Sequence, residues 1–194
     1  MVGILVTLAV VAFVIGGCAY SGYNRAVRLD ELVRQNWAQV ENILQSRYDL
    51  VPNLVETVKG YAAHEQQIFT AVAEARARYL EAARGGSQSD RIDAANRFEV
   101  ALRPLLTLQE NYPQLKAQEG FVRLMDALEG TERRLAVERM RYNEAVGTLN
   151  TYVRGMLGRV FCSWAGVKEA KYFEAPQEAR TAPKVDFGGG AKAP

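Results

Sequence analysis

The N-terminal segment of the chain carries no charge, and this feature constrains the fold more than any other. Met1–Tyr20 contain no charged side chain, and the first charge along the chain is Arg25. A helix of about 20 mostly apolar residues matches the thickness of the hydrocarbon core of a bilayer. Because the rest of the chain is densely charged, the sequence predicts a transmembrane anchor at residues 1–20 followed by a soluble domain.

Three interpretations of this apolar segment stay open. A cleaved signal peptide normally begins with a basic n-region, and no such region precedes the apolar run here. Ile15-Gly16-Gly17-Cys18 loosely resembles a lipobox, which would make Cys18 the lipidated residue of a lipoprotein. We favour the third interpretation, an uncleaved single-pass anchor embedded in a lipid bilayer.

The charges that flank the segment predict its orientation. No basic residue precedes it, whereas Arg25, Arg28 and Arg34 follow it closely. Because basic flanks stay on the cytoplasmic side, we expect the soluble domain to lie in the cytoplasm, at the inner cell membrane. A lipoprotein would instead lie on the periplasmic side, so the two interpretations predict opposite compartments.

The charge balance and the scarcity of metal ligands exclude several functions. The 24 Lys and Arg residues against 22 Asp and Glu residues leave a net charge of +2, too small to predict nucleic-acid binding. One His and two Cys cannot complete a tetrahedral zinc site, and one His cannot supply a di-iron helical bundle. We therefore expect no catalytic residues, no metal, no cofactor and no small-molecule substrate.

The domain at residues 21–158 has helical periodicity throughout. Apolar residues recur every three or four positions, and no period-two run predicts a strand. The sequence therefore predicts an all-α fold, in which an antiparallel up-and-down four-helix bundle follows the transmembrane helix. An unbroken seven-residue repeat from Phe121 to Met156 predicts coiled-coil-like packing of the fourth helix along another long helix.

Interruptions in the pattern predict where the helices bend and end. We expect Pro52 to bend the first helix without ending it, and Gly60 to end it in the left-handed conformation. The second helix is predicted from about Ala63 to Arg84. The third is predicted to begin with a side-chain cap at Ser89 or Asp90.

The predicted helices differ in length, and this difference predicts an exposed seam. The first and fourth helices are much longer than the other two, so the short pair covers only the half of the bundle farther from the membrane. The uncovered long pair exposes apolar side chains, which favours a homo-oligomer. We expect this oligomer interface to contain Val33, Trp37, Tyr142 and Leu149.

The segment at residues 159–175 is apolar, aromatic and flanked by basic residues. Because the fourth helix returns toward the bilayer, we expect Phe161 and Trp164 to contact the membrane surface. The alternative is that both side chains cap the near end of the bundle core. The remaining residues, 176–194, contain prolines and a run of three glycines and are predicted to form an extended or disordered tail.

Arg47, Tyr48 and Asp49 form the most unusual polar cluster, close to the predicted bend at Pro52. The cluster is either a surface for partner docking or a hydrogen-bonded layer that sets the register of the helices. Glu138 occupies a seam position of the fourth helix, and we expect Arg47 to be its partner.

Several motifs of the chain occur together in a known family. The most specific is the continuous stretch RYDLVPNLVETVKGYA at residues 47–62, and the others are Tyr23-Asn24, His64-Glu65, Glu74-Ala75-Arg76 and Tyr172-Phe173-Glu174-Ala175. Their order and spacing closely resemble the LemA family of bacterial membrane proteins, from about Tyr23 to Phe187. Cys162, where the family pattern leads us to expect Pro, and Cys18 depart from that pattern.

The resemblance implies an N-terminal transmembrane helix and a mirror variant of the up-and-down four-helix bundle. It implies no established catalytic residues, and a magnetosome-membrane branch implies a role in shaping or organising membranes. We therefore expect a non-enzymatic, membrane-anchored scaffold that self-associates or recruits partners. The alternative is an adaptor that regulates a membrane-bound enzyme, such as a protease, through the distal tip at Tyr61–Glu65. An unrecognised enzyme is the third hypothesis.

Overall fold

The computed structural model describes residues 2–174, and these residues form helices without any strand, which confirms the predicted all-α class. The predicted tail at residues 176–194 lies outside the described residues. The elements in chain order are α1 (Val2–Lys59), α2 (Gln66–Gly85), α3 (Gln88–Asn111), a short 3₁₀ helix (Pro113–Ala117), α4 (Glu119–Arg154) and α5 (Met156–Ala165).

α1 is a single helix of 58 residues that contains both the apolar N-terminal segment and the first helix of the domain. At 1.5 Å per residue it is about 87 Å long. Its N-terminal part is long and apolar enough to cross a membrane, and the side chains there are exposed instead of buried in the protein. Pro52 lies within α1 and does not end it, as predicted.

α4 packs alongside α1, and the contacts run in opposite directions along the two helices. Tyr152 near the end of α4 donates a hydrogen bond from its hydroxyl to the carbonyl oxygen of Gly22, at 2.9 Å. Further along, the ring centroids of Trp37 and Tyr142 lie 5.4 Å apart. Because rising residue numbers in α1 meet falling numbers in α4, the two helices are antiparallel neighbours.

α2 and α3 pack against each other and reach α1 at Tyr48. The Tyr48 ring lies 4.0 Å from the Tyr79 ring of α2 and 4.4 Å from the Phe98 ring of α3, measured between centroids. All three aromatic side chains are buried in one hydrophobic core. Such aromatic pairs stabilise a core by about 0.5–1.5 kcal/mol beyond the burial of their area.

α1 ends at Lys59, immediately before Gly60, as predicted. One predicted conformation and two predicted helix starts are wrong. Gly60 does not adopt the left-handed conformation, since Gly166 is the one described residue with a positive φ. Instead, the backbone N–H groups of residues 61 and 62 donate to the carbonyl of Val58, and a turn delays the start of α2 to Gln66. The cap of α3 is Ser87, because its side chain and that of Asp90 form a reciprocal capping box.

The predicted fourth helix is divided in two at Gly155. The backbone of Gly155 is extended, with φ −66° and ψ 147°, so α4 ends at Arg154 and α5 begins at Met156. α5 packs back against α4 and α1. Two close approaches require glycine: a Cβ atom at Gly158 would overlap the Tyr152 carbonyl, and one at Gly22 would overlap the Phe161 ring.

Candidate functional site

A buried ion pair network joins α1, α3 and α4. The Arg47 side chain is 2% exposed, and its Nη2 lies 3.2 Å from Oε2 of Glu99 on α3. Its Nη1 donates a hydrogen bond to Oε2 of Glu132 on α4. Charge-assisted contacts of this kind are stronger than neutral ones, and here they connect three helices at one level.

The expected pair between Arg47 and Glu138 is wrong. Nη1 of Arg141 pairs with Oε1 of Glu138 within α4, at 2.6 Å. Glu132 contacts Arg47 instead because of the register of the antiparallel helices. Glu138 lies six residues, or about 9 Å, further along α4.

The cluster predicted at Arg47, Tyr48 and Asp49 does not exist as one group. Arg47 and Tyr48 are buried, whereas Asp49 is exposed and accepts a hydrogen bond from Nε2 of Gln45 at 2.9 Å. Burial strongly raises the pKa of the Tyr48 hydroxyl, so it stays protonated. The three side chains separate because consecutive residues of a helix point in different directions.

Burial perturbs the charged groups around Arg47. It raises the pKa of the Glu99 carboxyl, although the Arg47 guanidinium acts in the opposite direction. It also lowers the pKa of Arg139 on α4. Arg47, Glu99 and Arg139 border a cavity of about 660 Å³ between α3 and α4, whose other lining residues are apolar and polar in equal number. Within residues 2–174, no group of three or more His, Cys, Asp or Glu side chains is arranged to hold a metal ion.

The seam predicted as an oligomer interface is buried inside the chain. Val33, Trp37, Tyr142 and Leu149 are all at most 5% exposed, so the expected exposure of this seam is wrong, while their place in an oligomer interface remains a prediction. Part of their cover is the segment at residues 167–174, which follows α5 and which we call the strap: Phe173 packs against Trp37, and the hydroxyl of Tyr142 donates to the carbonyl of Lys171. The sequence did not predict that these residues return along α1 and α4.

Two asparagines of α4 hold the backbone of the strap. Asn150 donates from Nδ2 to the carbonyl of Ala170 and accepts from its N–H, both at 2.9 Å. Asn143 forms the same two bonds with Phe173, at 3.0 and 2.8 Å. The available sequence signal was two amide side chains seven residues apart, each next to an apolar seam position.

α5 lies at the level where α1 emerges from its apolar segment. Its Phe161 ring packs against Gly22. The ring centroid of Trp164 lies 5.8 Å from that of Phe161, and Trp164 is 64% exposed. Trp164 therefore does not cap the core, which was the alternative interpretation. Met156 and Leu157 of α5 are also exposed. Contact of Phe161 and Trp164 with lipid remains a prediction.

The remaining positions that the sequence singled out differ in their exposure. Cys18 is exposed in the apolar part of α1, and its lipidation remains a prediction; Cys162 is a buried free thiol. At the opposite end of the molecule, His64 is exposed in the turn between α1 and α2. The hydroxyl of Tyr112 donates to Oε1 of Glu65 at 3.1 Å and ties this turn to the end of α3.

Comparison with known proteins places these features in a family. The family model described as LemA family matches residues 36–187. Magnetosome proteins MamQ 1 and MamQ 2 of Paramagnetospirillum magneticum are each 26% identical to the chain over 194 residues, covering 88% of this chain and 71% of each relative. Magnetosome protein MamQ of Magnetospirillum gryphiswaldense is 25% identical over 174 residues, which is 78% of this chain and 64% of that relative.

Proposed function

Because the chain belongs to the LemA family, we propose that it is a non-enzymatic scaffold, anchored in the membrane, that self-associates and organises membrane or recruits partners. The observation that carries this proposal is the continuity of α1. One uninterrupted helix contains an apolar segment with exposed side chains and the helix that supplies Trp37, Leu44 and Tyr48 to the core. A helix has no flexible joint where it leaves the bilayer, so the domain is held rigidly at the membrane.

A second apolar surface supports attachment to the bilayer. Met156, Leu157 and Trp164 of α5 are exposed beside the point where the apolar part of α1 ends. Arg159 of the same helix and Lys168 after it are exposed too, and basic residues near apolar ones suit the headgroup region. In this proposal α5 lies in the membrane interface, while residues 1–20 span the bilayer.

The arrangement of the domain belongs to the same proposal. The antiparallel contacts of α1 with α4, and the packing of α2 and α3 onto Tyr48, support an up-and-down four-helix bundle. We propose that this bundle lies in the cytoplasm, on the basis of the Arg residues that follow the span. A periplasmic lipoprotein attached through Cys18 is the alternative.

The relatives support a membrane role of this kind. They are named magnetosome proteins, and they match most of the present chain. We propose that the chain shares a role in organising membrane. An adaptor for a membrane-bound enzyme remains the second candidate, because the turn at Tyr61–Glu65 is fixed to α3 and lies far from the bilayer.

Native mass spectrometry of the full-length protein in lipid nanodiscs tests the proposed function. A homo-oligomer at low ratios of protein to lipid supports the scaffold. A monomer that co-purifies with one stoichiometric membrane protein contradicts self-association and favours the adaptor. Protease accessibility in inside-out vesicles, together with the intact mass of the N-terminal fragment, determines both sidedness and lipidation at Cys18.

A further inference from the structure

We propose that the groove between α1 and α4, which the strap occupies, is a peptide-binding site that accepts the strap of a second copy of the chain. This inference deepens the self-association proposed above and rests on it. It assigns the contact between copies to residues 167–174 and to the groove beneath them, which includes Trp37 and Tyr142 of the predicted seam.

The groove binds the backbone of an extended segment at two matched points. Asn143 and Asn150 are seven residues apart on α4, which corresponds to about 10.5 Å along a helix. Their partners Phe173 and Ala170 are three residues apart, which corresponds to about 10 Å in an extended chain. Each amide bonds both the N–H and the C=O of one strap residue. Four hydrogen bonds to backbone therefore fix the position and direction of the segment, independently of its side chains.

The side chains of the strap supply selectivity. Phe173 is 2% exposed; its ring centroid lies 6.0 Å from that of Trp37, and the Arg139 guanidinium lies 4.4 Å from its centre. Two residues earlier, Nζ of Lys171 lies 2.8 Å from Oδ1 of Asp93 on α3. The groove thus selects an extended segment with a basic residue two positions before an aromatic one.

Another copy of the chain is the occupant that these contacts favour. Every copy carries a strap complementary to the groove, and non-covalent contacts alone hold the strap in the groove. Copies anchored through α1 hold the groove at one height, since Trp37 lies about 25 Å along α1 from the end of the apolar segment. When two copies exchange straps, every contact between strap and groove is kept. The balance between the exchanged dimer and the unexchanged monomer therefore depends on the local concentration of the protein in the membrane.

The strap also has a point about which it can turn. Gly166, between α5 and the strap, has φ 69°, the left-handed conformation that glycine adopts without steric penalty. Only residues 166–169 separate α5 from the first clamped residue, Ala170. Ala170 is five residues beyond Ala165, the last residue of α5, which corresponds to at most about 18 Å when extended, so the receiving copy must be an immediate neighbour.

A complementation experiment with two full-length variants tests the proposal. The groove variant, Asn143→Leu with Asn150→Leu, loses the four backbone bonds and keeps its own strap intact. The strap variant, Lys171→Ala with Phe173→Ala, keeps the groove and loses the side chains that fill it. The two chains carry different affinity tags and are co-expressed in one membrane. The matched control pairs the groove variant with a chain that carries all four substitutions.

We expect the groove variant to capture the strap variant at least about fivefold more than it captures the control chain, because the trans contact is the one complete strap contact left. Equal capture would overturn the proposal. Circular dichroism of each variant checks that the helices form. If the groove variant does not fold, a labelled synthetic peptide of residues 167–174 replaces it as the probe. It must bind the strap variant better than a peptide with Phe173→Ala; equal binding would also overturn the proposal.

The wild-type protein distinguishes this inference from the proposed function. If wild type self-associates in nanodiscs while the two variants do not complement each other, strap exchange is wrong and the scaffold stands. If the variants complement each other while wild type stays monomeric, the groove binds a strap in trans and the scaffold proposal fails.

Discussion

Arg47 and Glu99 form an ion pair, 3.2 Å between Nη2 and Oε2, at the level where α1, α3 and α4 meet. Because the pair is desolvated, removing one partner leaves a buried charge without its counter-ion. We expect Arg47→Leu to lower the free energy of unfolding by about 3–5 kcal/mol. Chemical denaturation of the detergent-solubilised protein, followed by circular dichroism, measures this loss.

The control for that variant is Arg133→Leu. Arg133 pairs with Glu129 on the surface of α4, where water screens the two charges and an ion pair between neighbouring turns contributes little to stability. If Arg47→Leu and Arg133→Leu lose equal stability, the buried pair of Arg47 and Glu99 stabilises the fold no more than a surface pair does.

The raised pKa of Glu99 predicts a pH dependence of stability. The folded state binds the Glu99 proton more tightly than the unfolded state, because burial disfavours the carboxylate. This contribution to stability is fully present below the pKa of the unfolded chain, and it is lost as the pH rises through the raised folded pKa. Denaturation curves of wild type and Glu99→Gln between acid and neutral pH should show that the variant lacks this loss.

Glu169 provides a control of opposite sign. A hydrogen bond from Arg154 lowers the pKa of its carboxyl, so its contribution is present above the unfolded pKa and is lost as the pH falls through the folded one. With Glu169→Gln, the free energy of unfolding should therefore no longer contain the decrease that Glu169 causes at the acid end of the pH range. The prediction for Glu99 is wrong if both variants change the pH profile in the same direction.

Gly158 should not tolerate a larger residue. A Cβ atom there would overlap the carbonyl oxygen of Tyr152, which is backbone and cannot rotate away. We expect Gly158→Ala to destabilise the protein by about 1–3 kcal/mol and to loosen α5. Gly130→Ala is the matched control, because its Cβ meets no atom and it lies in the interior of α4, where alanine favours a helix over glycine by about 1 kcal/mol. Thermal unfolding should move in opposite directions for the two variants.

The exposed ring of Trp164 should contact lipid. Brominated acyl chains quench tryptophan fluorescence at short range, and Trp37, the other tryptophan, is buried in the core. In vesicles of brominated lipid we expect wild-type emission to fall, and the remaining emission of Trp164→Phe to be unaffected. An equal response of both proteins would exclude insertion of α5 into the bilayer.

Much of the helical architecture could be predicted because it depends on periodicity. The seven-residue repeat of α4 indicated packing along a long helix, and Pro52 was placed correctly inside α1. The partner of Arg47 could not be predicted, since the choice between Glu132 and Glu138 depends on how far α4 is shifted along α1. A pattern within one helix does not contain that shift.

The strap could not be predicted for a different reason. Residues 167–174 show no two-residue alternation of apolar and polar side chains, and their binding depends mainly on backbone groups, which every sequence possesses. The prediction of an exposed seam was correct about which residues are apolar. It was wrong about what covers them, because this extended segment lacks the two-residue alternation by which a strand is predicted.

α1 runs unbroken from the apolar segment into the domain, so in a membrane it would move as one rigid rod. With the apolar segment in a membrane, the 39 residues from Ser21 to Lys59 extend about 58 Å beyond it. A tilt of about 20°, ordinary for a spanning helix, displaces the far end sideways by about 20 Å. Bilayer thickness sets that tilt in part. A change in thickness would therefore displace the turn at Tyr61–Glu65 sideways.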